Sequence, residues 1–379
     1  MSRLLFLLIP QALSLLGSSI AQFGIIWSLT IAYSSGKVLL LSSLAAFLPQ
    51  IGLMVLSGVL SDRRKRKQMI ILSDAVSGIV ALFLATFSFS GVLPLIMALL
   101  IRSACSGLQT PAVDSAVALL SDDNTRERAN ALRGLLSSAV MLLSPVLAGI
   151  LLPIAGIRGL MLLDAATAVL AIMFIAFTSI PESSNESKLS LLSGVRYAFG
   201  ESQIRKLLLF HFIALFLISP GASLTPLLVQ RVHEGGEAYL SLSETAYSFG
   251  MVIGGMVLSI GKPVKDRKLS IALSLMIYAS MLLLIGFTPF FLLYLLMNAT
   301  IGFVSPRYTA LMNSEVQEEC SNDMMGRVMS FLSIISSTAI PLGLLIAAPL
   351  SDVVDIRIVF ICFGLAAMLH SLLFMRRGR

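Results

Sequence analysis

The sequence predicts an all-α membrane protein whose twelve transmembrane helices form two pseudo-symmetric bundles of six. Three observations lead to this fold class: the composition, the number of apolar runs and an internal repeat. Hydrophobic residues make up 57% of the 379 residues and charged residues only 12%, whereas about a quarter of the residues of a soluble domain are charged. A soluble chain of this composition would expose large apolar patches to water. The chain is therefore predicted to lie in a lipid bilayer.

The apolar runs are bounded by charged or turn-forming residues, and about 20 residues are needed for one crossing of the bilayer. The first run continues to Tyr33, which is too long for the apolar part of a cleavable signal peptide. Twelve spans are predicted, at residues 4–33, 38–60, 69–89, 92–118, 132–153, 159–180, 205–230, 239–261, 269–287, 289–312, 328–350 and 356–375.

The basic residues alternate between the two sides of these spans. With the N-terminus inside the cell, 21 of the 27 Lys and Arg residues lie in cytoplasmic segments. Lys and Arg near the ends of spans hold those ends on the cytoplasmic side, so both termini are expected to be cytoplasmic. The net charge of +7 is then explained by orientation and by anionic lipid headgroups, and no nucleic-acid partner is needed.

The longest polar break divides the chain into two sets of six spans. Residues 1–180 are predicted to form the first bundle, 181–204 a cytoplasmic linker and 205–379 the second bundle. Landmarks recur in both halves at offsets between 194 and 199 residues. The corresponding pairs are Pro111 and Pro306, Arg133 and Arg327, Pro145 and Pro341, and Arg158 and Arg357. Two parallel six-span repeats place a substrate cavity between them, near the middle of the membrane.

The loop between the second and third spans combines an acid with five consecutive basic residues. Positive charge alone would set the topology, but Asp62 at the head of the run is not needed for that. Asp62 could face the positive end of a helix and pair with Arg66 or with Arg133, holding a cytoplasmic gate closed. We predict a gating role for this motif, with topology alone as the alternative. Its residues are Gly58, Asp62, Arg63, Arg66 and Lys67, with Arg133 from the next cytoplasmic loop.

The fifth span contains a proline among small residues. Pro145 frees a backbone carbonyl and bends the span, while Ser144, Ala148 and Gly149 let another helix approach closely. An ordinary kinked helix would contain the same residues.

Ionisable residues within spans are candidates for the transport pathway, because charge in lipid is costly. Arg102, Asp114 and Asp164 are the candidates, and either acid could carry a proton, with a structural ion pair as the alternative. Arg102 and Asp114 are expected to lie too far apart to touch. Gln22 and Trp27 could line an apolar pocket, although an aromatic residue near a span end is more often an interface anchor.

Two further acids, Asp74 and Glu244, are expected to lie nearer the membrane interfaces and to be structural. No phosphate-binding loop is present, and the histidines and cysteines lack metal-site spacing. Neither an enzyme, a cofactor nor a metal site is predicted.

These motifs together resemble the major facilitator superfamily of transporters. The resemblance covers nearly the whole chain, and the loop from Gly58 to Lys67 carries most of it. The segment from Ser144 to Gly149 is similar to the antiporter motif of the superfamily's exporters, with Ser144 in place of its first glycine. Other segments resemble the macrolide-efflux branch: residues 11–14, 102–103, 110–112, Asp164 in the sixth span, 243–244, 249–250 and 326–328.

The resemblance implies a proton-coupled exporter that moves an amphipathic, drug-like molecule across a bacterial plasma membrane by alternating access. It implies a small-molecule substrate, a proton as the coupling ion and a monomer. The alternatives are an exporter or flippase of an endogenous lipid or siderophore, and a transporter-like sensor without transport.

Overall fold

A computed structural model describes residues 2–60, 66–87, 91–120, 126–178, 197, 199–260, 264, 266–321 and 324–377. The predicted gate residues Asp62 and Arg63, and most of the predicted linker 181–204, lie outside these ranges. The described helices are α1 Ser2–Tyr33, α2 Gly36–Leu60, α3 Arg66–Thr86, α4 Val92–Leu120, α5 Arg126–Phe177, α6 Ser202–Leu217, α7 Thr225–Val232, α8 Glu237–Ile260, α9 Arg267–Phe287, α10 Phe291–Glu319, α11 Met325–Leu350 and α12 Ile356–Arg377.

These helices account for twelve membrane spans. By length and composition, eight helices of the described ranges can cross a bilayer, and the bent pair α6 and α7 makes a ninth span. α5 is 52 residues long and contains two spans, divided at Gly156, whose φ of 63° and ψ of 179° are not helical. A positive φ is available to glycine at little steric cost, so the break occurs there. The more polar helices α8 and α10, with 24 and 29 residues, complete the twelve.

The seventh span is bent by 40° between α6 and α7. A π-helical turn, Pro220–Leu224, joins the two helices, and proline stands at the start of both the turn and α7. Proline has no backbone N–H to continue the helical hydrogen-bond ladder, which explains the break at this point.

The tenth span is longer than predicted. The sequence predicts an end at residue 312, whereas α10 continues to Glu319. Acids on its last turns pair with the basic start of α9: Arg267 contacts Glu318, and Lys268 Nζ lies 3.5 Å from Glu315 Oε1. These ion pairs stabilise a polar extension that hydropathy does not detect.

The repeat landmarks occupy equivalent places in the two halves. Pro111 lies inside α4 as Pro306 lies inside α10, and Pro145 lies inside α5 as Pro341 lies inside α11. Gly156 marks the break before the sixth span, and Asp355 immediately precedes α12. The pseudo-symmetry predicted from these residues is therefore present in the helices.

The chain folds into two compact units. The first contains residues 1–33 and 41–187, and the second contains 34–40 and 188–379. In the first unit, α1 packs against α5, and α3 packs against α4 and α5. One end of this unit has an apolar core with members from all four helices, including Leu7, Ile70, Val117 and Ile175.

In the second unit, α8 and α10 approach until their backbones touch. A Cβ atom at Gly250 or Gly254 would lie 2.0 Å from the carbonyl oxygen of Ala299 or Phe303, respectively. Gly302 of α10 makes the reciprocal approach, because its Cβ would lie 2.1 Å from the carbonyl oxygen of Tyr247. Glycines four residues apart are a common way to bring membrane helices into contact.

Asp352, in the connection between α11 and α12, is the centre of a polar cluster of the second unit. Its carboxylate accepts hydrogen bonds from the backbone N–H groups of Gly36, at 2.7 Å, and Lys37, at 3.0 Å, which begin α2. The Ser35 hydroxyl donates at 3.2 Å, and Arg231 Nη2 forms an ion pair at 2.7 Å. Asp352 therefore caps the positive end of the α2 dipole from a distant part of the chain.

Partial burial acts to raise the pKa of Asp352, but the N–H of Gly36, the Arg231 guanidinium and the other donors outweigh it and lower the pKa. A carboxyl group with a lowered pKa in the folded state stabilises the fold above its unfolded-state pKa, and this contribution is lost as the pH falls through the folded-state pKa.

We therefore expect Asp352→Asn to destabilise the purified protein at neutral pH. The difference from the wild type should shrink below about pH 4, where the free aspartate protonates. Thermal unfolding in detergent across a pH series measures this. A difference that stays constant down to strongly acidic pH would show that the carboxylate charge does not stabilise this cluster.

Candidate functional site

A buried carboxylate lies among neutral hydrogen-bond donors in the first unit. Asp74 of α3 is 2% exposed. Gln11 Nε2 donates to its Oδ2 at 3.0 Å, and Ser14 Oγ and Gln109 Nε2 donate to its Oδ1 at 2.8 and 2.9 Å. Within the described ranges, no cationic side chain forms a hydrogen bond or ion pair with Asp74. Among the described residues, Asp74 is thus a buried acid of a membrane-spanning helix without a counter-ion.

The two glutamines are also joined to each other. Gln109 Nε2 donates to Gln11 Oε1 at 2.8 Å as well as to Asp74, so both of its N–H bonds are used. The three side chains form a closed ring of hydrogen bonds between α1, α3 and α4. An ordered ring of this kind fixes which way each amide group faces.

A second buried carboxylate has a cation as its partner. Asp164, in the second half of α5, is fully buried and forms an ion pair with Arg102 of α4, which is 5% exposed. The Ser18 hydroxyl donates to Asp164 Oδ1 at 2.9 Å, and Arg102 Nη2 donates to the Ser18 carbonyl at 3.2 Å. The charges of this pair cancel, whereas no described cation pairs with Asp74.

One face of α1 supplies the neutral partners of both acids. Gln11, Ser14 and Ser18 follow a spacing of three and then four residues, which places them on one side of a helix. α1 lies close against α5 because Gly17 leaves no side chain: a Cβ there would stand 2.2 Å from Thr167 Oγ1. The small residue lets the α1 face reach Asp164.

A cavity of about 130 Å³ adjoins the Asp74 ring. Gln11, Ser14 and Gln109 line it, whereas Asp74 itself lies behind them. The remaining lining residues come from α1, α4 and α5: Leu8, Ala12, Leu15, Ser18, Ser106, Thr110, Val113, Arg133, Leu136 and Ser137. A molecule in this cavity would meet the donors of Asp74 before the acid itself.

The structure pairs the candidate acid Asp114 with Arg133. This ion pair joins α4 to the start of α5, and both side chains are partly exposed. Arg102 and Asp114 are not paired with each other, as expected. Arg133 was predicted to pair with Asp62. Its guanidinium thus has another acidic partner, Asp114, within the first unit.

The described part of the gate motif lies at the junction of α2 and α3. Gly58 lies in α2, and Arg66 begins α3. Lys67 Nζ donates to the carbonyl oxygen of Ala176 at 2.6 Å, which ties the start of α3 to the end of α5.

The four residues of the antiporter-like motif lie on a buried face of α5. Ser144, Pro145, Ala148 and Gly149 are all buried, and Ser144 Oγ donates to the Val140 carbonyl at 2.6 Å. The buried face suits the close helix packing predicted for small residues.

Trp27 is 1% exposed, and its ring packs against Phe23 with a centroid distance of 5.7 Å. A buried tryptophan does not anchor the helix at the lipid surface. Gln22 is half-buried, and neither residue lines the cavity beside Asp74.

The sequence predicts a structural place near the interface for Asp74, and it does not single out Gln109. α3 begins at Arg66, three residues before the predicted start, so Asp74 lies about 12 Å along the helix. The sequence does contain one signal for this site, which is a polar stripe on α1. Gln11, Ser14 and Ser18 lie on one face of that helix and indicate polar partners on a neighbouring helix.

The family of the chain follows from a comparison of its sequence with protein-family models. Residues 4–344 match the model of the Major Facilitator Superfamily. The chain belongs to the major facilitator superfamily. It is thus a multi-pass membrane transporter and not an enzyme.

Among curated relatives of this superfamily member, macrolide efflux protein A of Streptococcus pyogenes is 27% identical over 366 residues, covering 93% of this chain and 90% of the relative. Macrolide efflux protein A of Enterococcus faecalis is 26% identical over 322 residues, covering 82% and 100%. The multidrug efflux pump Tap of Mycobacterium tuberculosis is 21% identical over 362 residues, covering 90% and 85%.

A solved structure of a bacterial homologue of the lysosomal transporter Spinster has the same fold. The TM-score is 0.75 at 14% identity, with 99% of this chain and 96% of that chain covered. The superfamily fold predicted from the sequence is confirmed.

Proposed function

We propose that this transporter is a proton-coupled exporter of amphipathic, drug-like compounds of the macrolide type, working by alternating access. The relatives named for macrolide and multidrug efflux support the substrate class and the direction of transport. On this proposal the protein lies in a bacterial plasma membrane with both termini in the cytoplasm, as the basic residues indicate.

The observation that carries proton coupling is the uncompensated carboxylate of Asp74. Three neutral donors stabilise the charged form, whereas burial inside the protein favours the protonated form. These two opposing effects allow the carboxyl group of Asp74 to bind and release one proton in each transport cycle. Asp164 and Asp114, the acids favoured by the sequence, each have an arginine partner, and this makes Asp74 the first candidate.

The gate motif belongs to the same proposal. The Lys67 contact to Ala176 and the Asp114–Arg133 pair both link helices at the same end of the first unit. We assign these contacts, together with Asp62, to the cytoplasmic gate that must open and close during alternating access.

We expect Asp74→Asn to abolish efflux driven by a proton gradient, because the amide cannot take up and release the proton. Asp74→Glu should retain part of it. Transport is measured in inside-out vesicles, as the uptake of a macrolide from the outer solution after a pH gradient has been applied. The uptake that remains after an uncoupler has collapsed the gradient gives the background rate. Both variants should reach the membrane at wild-type levels. Proton-driven uptake by Asp74→Asn at the wild-type rate would exclude Asp74 as the coupling acid.

A further inference from the structure

Glu244 of α8 is an acid in a membrane span that has no partner in the described part of the chain. Its side chain forms no hydrogen bond and no ion pair with a described residue, and its oxygens are not among the fully buried polar atoms. α8 begins at Glu237, so Glu244 lies about 10 Å along the helix. A charge at this depth is costly unless water or a ligand solvates it.

The place of Glu244 on α8 shows on which side it is accessible. The side chain is half-buried, whereas the exposed apolar side chains of α8 lie on the opposite side of the helix. Ile253 follows Glu244 by nine residues, or about two and a half turns, which places the two on opposite faces. Leu242 and Phe249 extend the exposed apolar face. Glu244 therefore points away from that face and into open space on the protein side of α8.

The polar side chains nearest to Glu244 are occupied by one another. Ser243 immediately precedes it, and the Tyr294 hydroxyl lies 2.5 Å from Ser243 Oγ. Asn298 Nδ2 donates to the Ser243 carbonyl at 2.8 Å and to its Oγ at 3.1 Å, so both of its N–H bonds are used. These groups leave the carboxylate of Glu244 with its hydrogen-bonding capacity and its charge available to a ligand.

Three tyrosines lie around the same place. Tyr247 follows Glu244 by about one turn of α8, and Tyr294 of α10 is its second electrostatic neighbour. Tyr278 of α9 is a neighbour of both tyrosines. Its hydroxyl forms no hydrogen bond with a described residue and is not a fully buried atom, so open space reaches the tyrosines too. Aromatic rings attract cations to their faces. An acid beside tyrosines thus offers the chemistry that an organic cation requires.

The break in the seventh span lies against this cluster. Thr225, the first residue of α7, is beside Tyr294. A Cβ atom at Gly221, in the π-helical turn, would stand 3.0 Å from the hydroxyl oxygen of Tyr278. Irregular backbone at membrane depth occurs where it is buried in protein or lines a cavity, and transporter binding sites form at such breaks. The break is an independent indication of a ligand site, and all of these residues belong to the second unit.

We propose that Glu244, with the three tyrosines beside it, binds the positively charged group of the transported compound, an organic cation. The carboxylate supplies the opposite charge, and the rings replace part of the water around the cation. The site rests on the proposed function and adds a requirement to it, because a neutral compound of the same size and shape would lack this contact.

The test measures the binding of a permanently charged aromatic cation, tetraphenylphosphonium. Isothermal titration calorimetry follows its binding to the purified full-length protein in a neutral detergent and in mildly alkaline buffer, which favours the ionised carboxyl group. We expect the wild type to bind the cation and Glu244→Gln to bind it about tenfold more weakly. An absence of binding to the wild type, or an equal affinity in Glu244→Gln, would overturn the proposal.

Two control variants separate this site from the overall charge of the protein. Glu237→Gln removes the same charge about two turns earlier on the same face of α8 and should leave the affinity unchanged. Glu244→Asp keeps the charge and should bind the cation more tightly than Glu244→Gln does. Thermal unfolding reports folding, and Glu244→Gln should unfold no earlier than the wild type because it removes an unpaired charge. Equal losses in Glu237→Gln, or equal losses in Glu244→Asp, contradict the site.

The macrolide uptake assay in vesicles distinguishes the site from the proposed function. If the wild type binds tetraphenylphosphonium through Glu244 but transports no macrolide, the proposed substrate class is wrong and the cation site remains. If macrolide efflux is present and the affinity for tetraphenylphosphonium is unchanged in Glu244→Gln, the proposed function remains and the cation site is excluded.

Discussion

Asp164→Asn is expected to lower the free energy of unfolding by about 3–5 kcal/mol, because it leaves the buried guanidinium of Arg102 without its acid. Arg102 is 5% exposed, and water cannot replace the lost partner. The Ser18 carbonyl, at 3.2 Å, remains as a neutral acceptor and does not compensate a full charge. Thermal unfolding of the purified protein in detergent, followed by circular dichroism, measures the effect.

Two controls distinguish the effect of the unpaired Arg102 charge from the effect of changed side-chain packing. Replacing both members of the pair, as Arg102→Met with Asp164→Leu, removes the unpaired charge and should recover most of the stability. Asp74→Asn makes the same chemical change at an acid that no described cation pairs with, and it should cost less because it leaves no buried charge unpaired. If Asp164→Asn unfolds at the wild-type temperature, the ion pair does not hold these helices together.

Gly254→Ala is the second change for which we expect a large effect. The added Cβ would lie 2.0 Å from the carbonyl oxygen of Phe303 and 2.8 Å from its carbonyl carbon. These are backbone atoms, which cannot rotate away as a side chain can, so α8 and α10 must separate. We expect a loss of about 1–3 kcal/mol, typical of overpacking, and a corresponding fall in the unfolding temperature.

The neighbouring glycine is a matched control. Apart from its two chain neighbours and the nearby backbone of its own helix, no described atom lies within 4 Å of the Cβ position of Gly255, which is in the same helix. Gly255→Ala should leave the stability unchanged or raise it by up to about 1 kcal/mol, because alanine is the better helix former. Equal effects of the two substitutions would mean that helix propensity, and not the contact with α10, decides the outcome.

The candidate site was only partly predictable from the sequence. Arg102 and Asp164 were identified as costly residues in the membrane, but 62 residues separate them, and hydropathy does not tell which helices are neighbours. Asp74 was expected nearer the interface with Arg66 and Lys67 counted as loop, whereas the structure includes both basic residues in the first turn of α3. The helix continues through them because Lys67 finds an acceptor at the end of α5.

The sequence by itself determined the class of this protein, the approximate number and order of its spans and its superfamily. These properties follow from apolar runs, basic residues and motifs, each of which is local along the chain. Only the tertiary structure decided that Arg102 neutralises Asp164, that Arg133 neutralises Asp114, and that Asp74 keeps neutral donors. The partner of a buried charge depends on how helices rotate and pack against each other, which small residues such as Gly17 control through backbone distance.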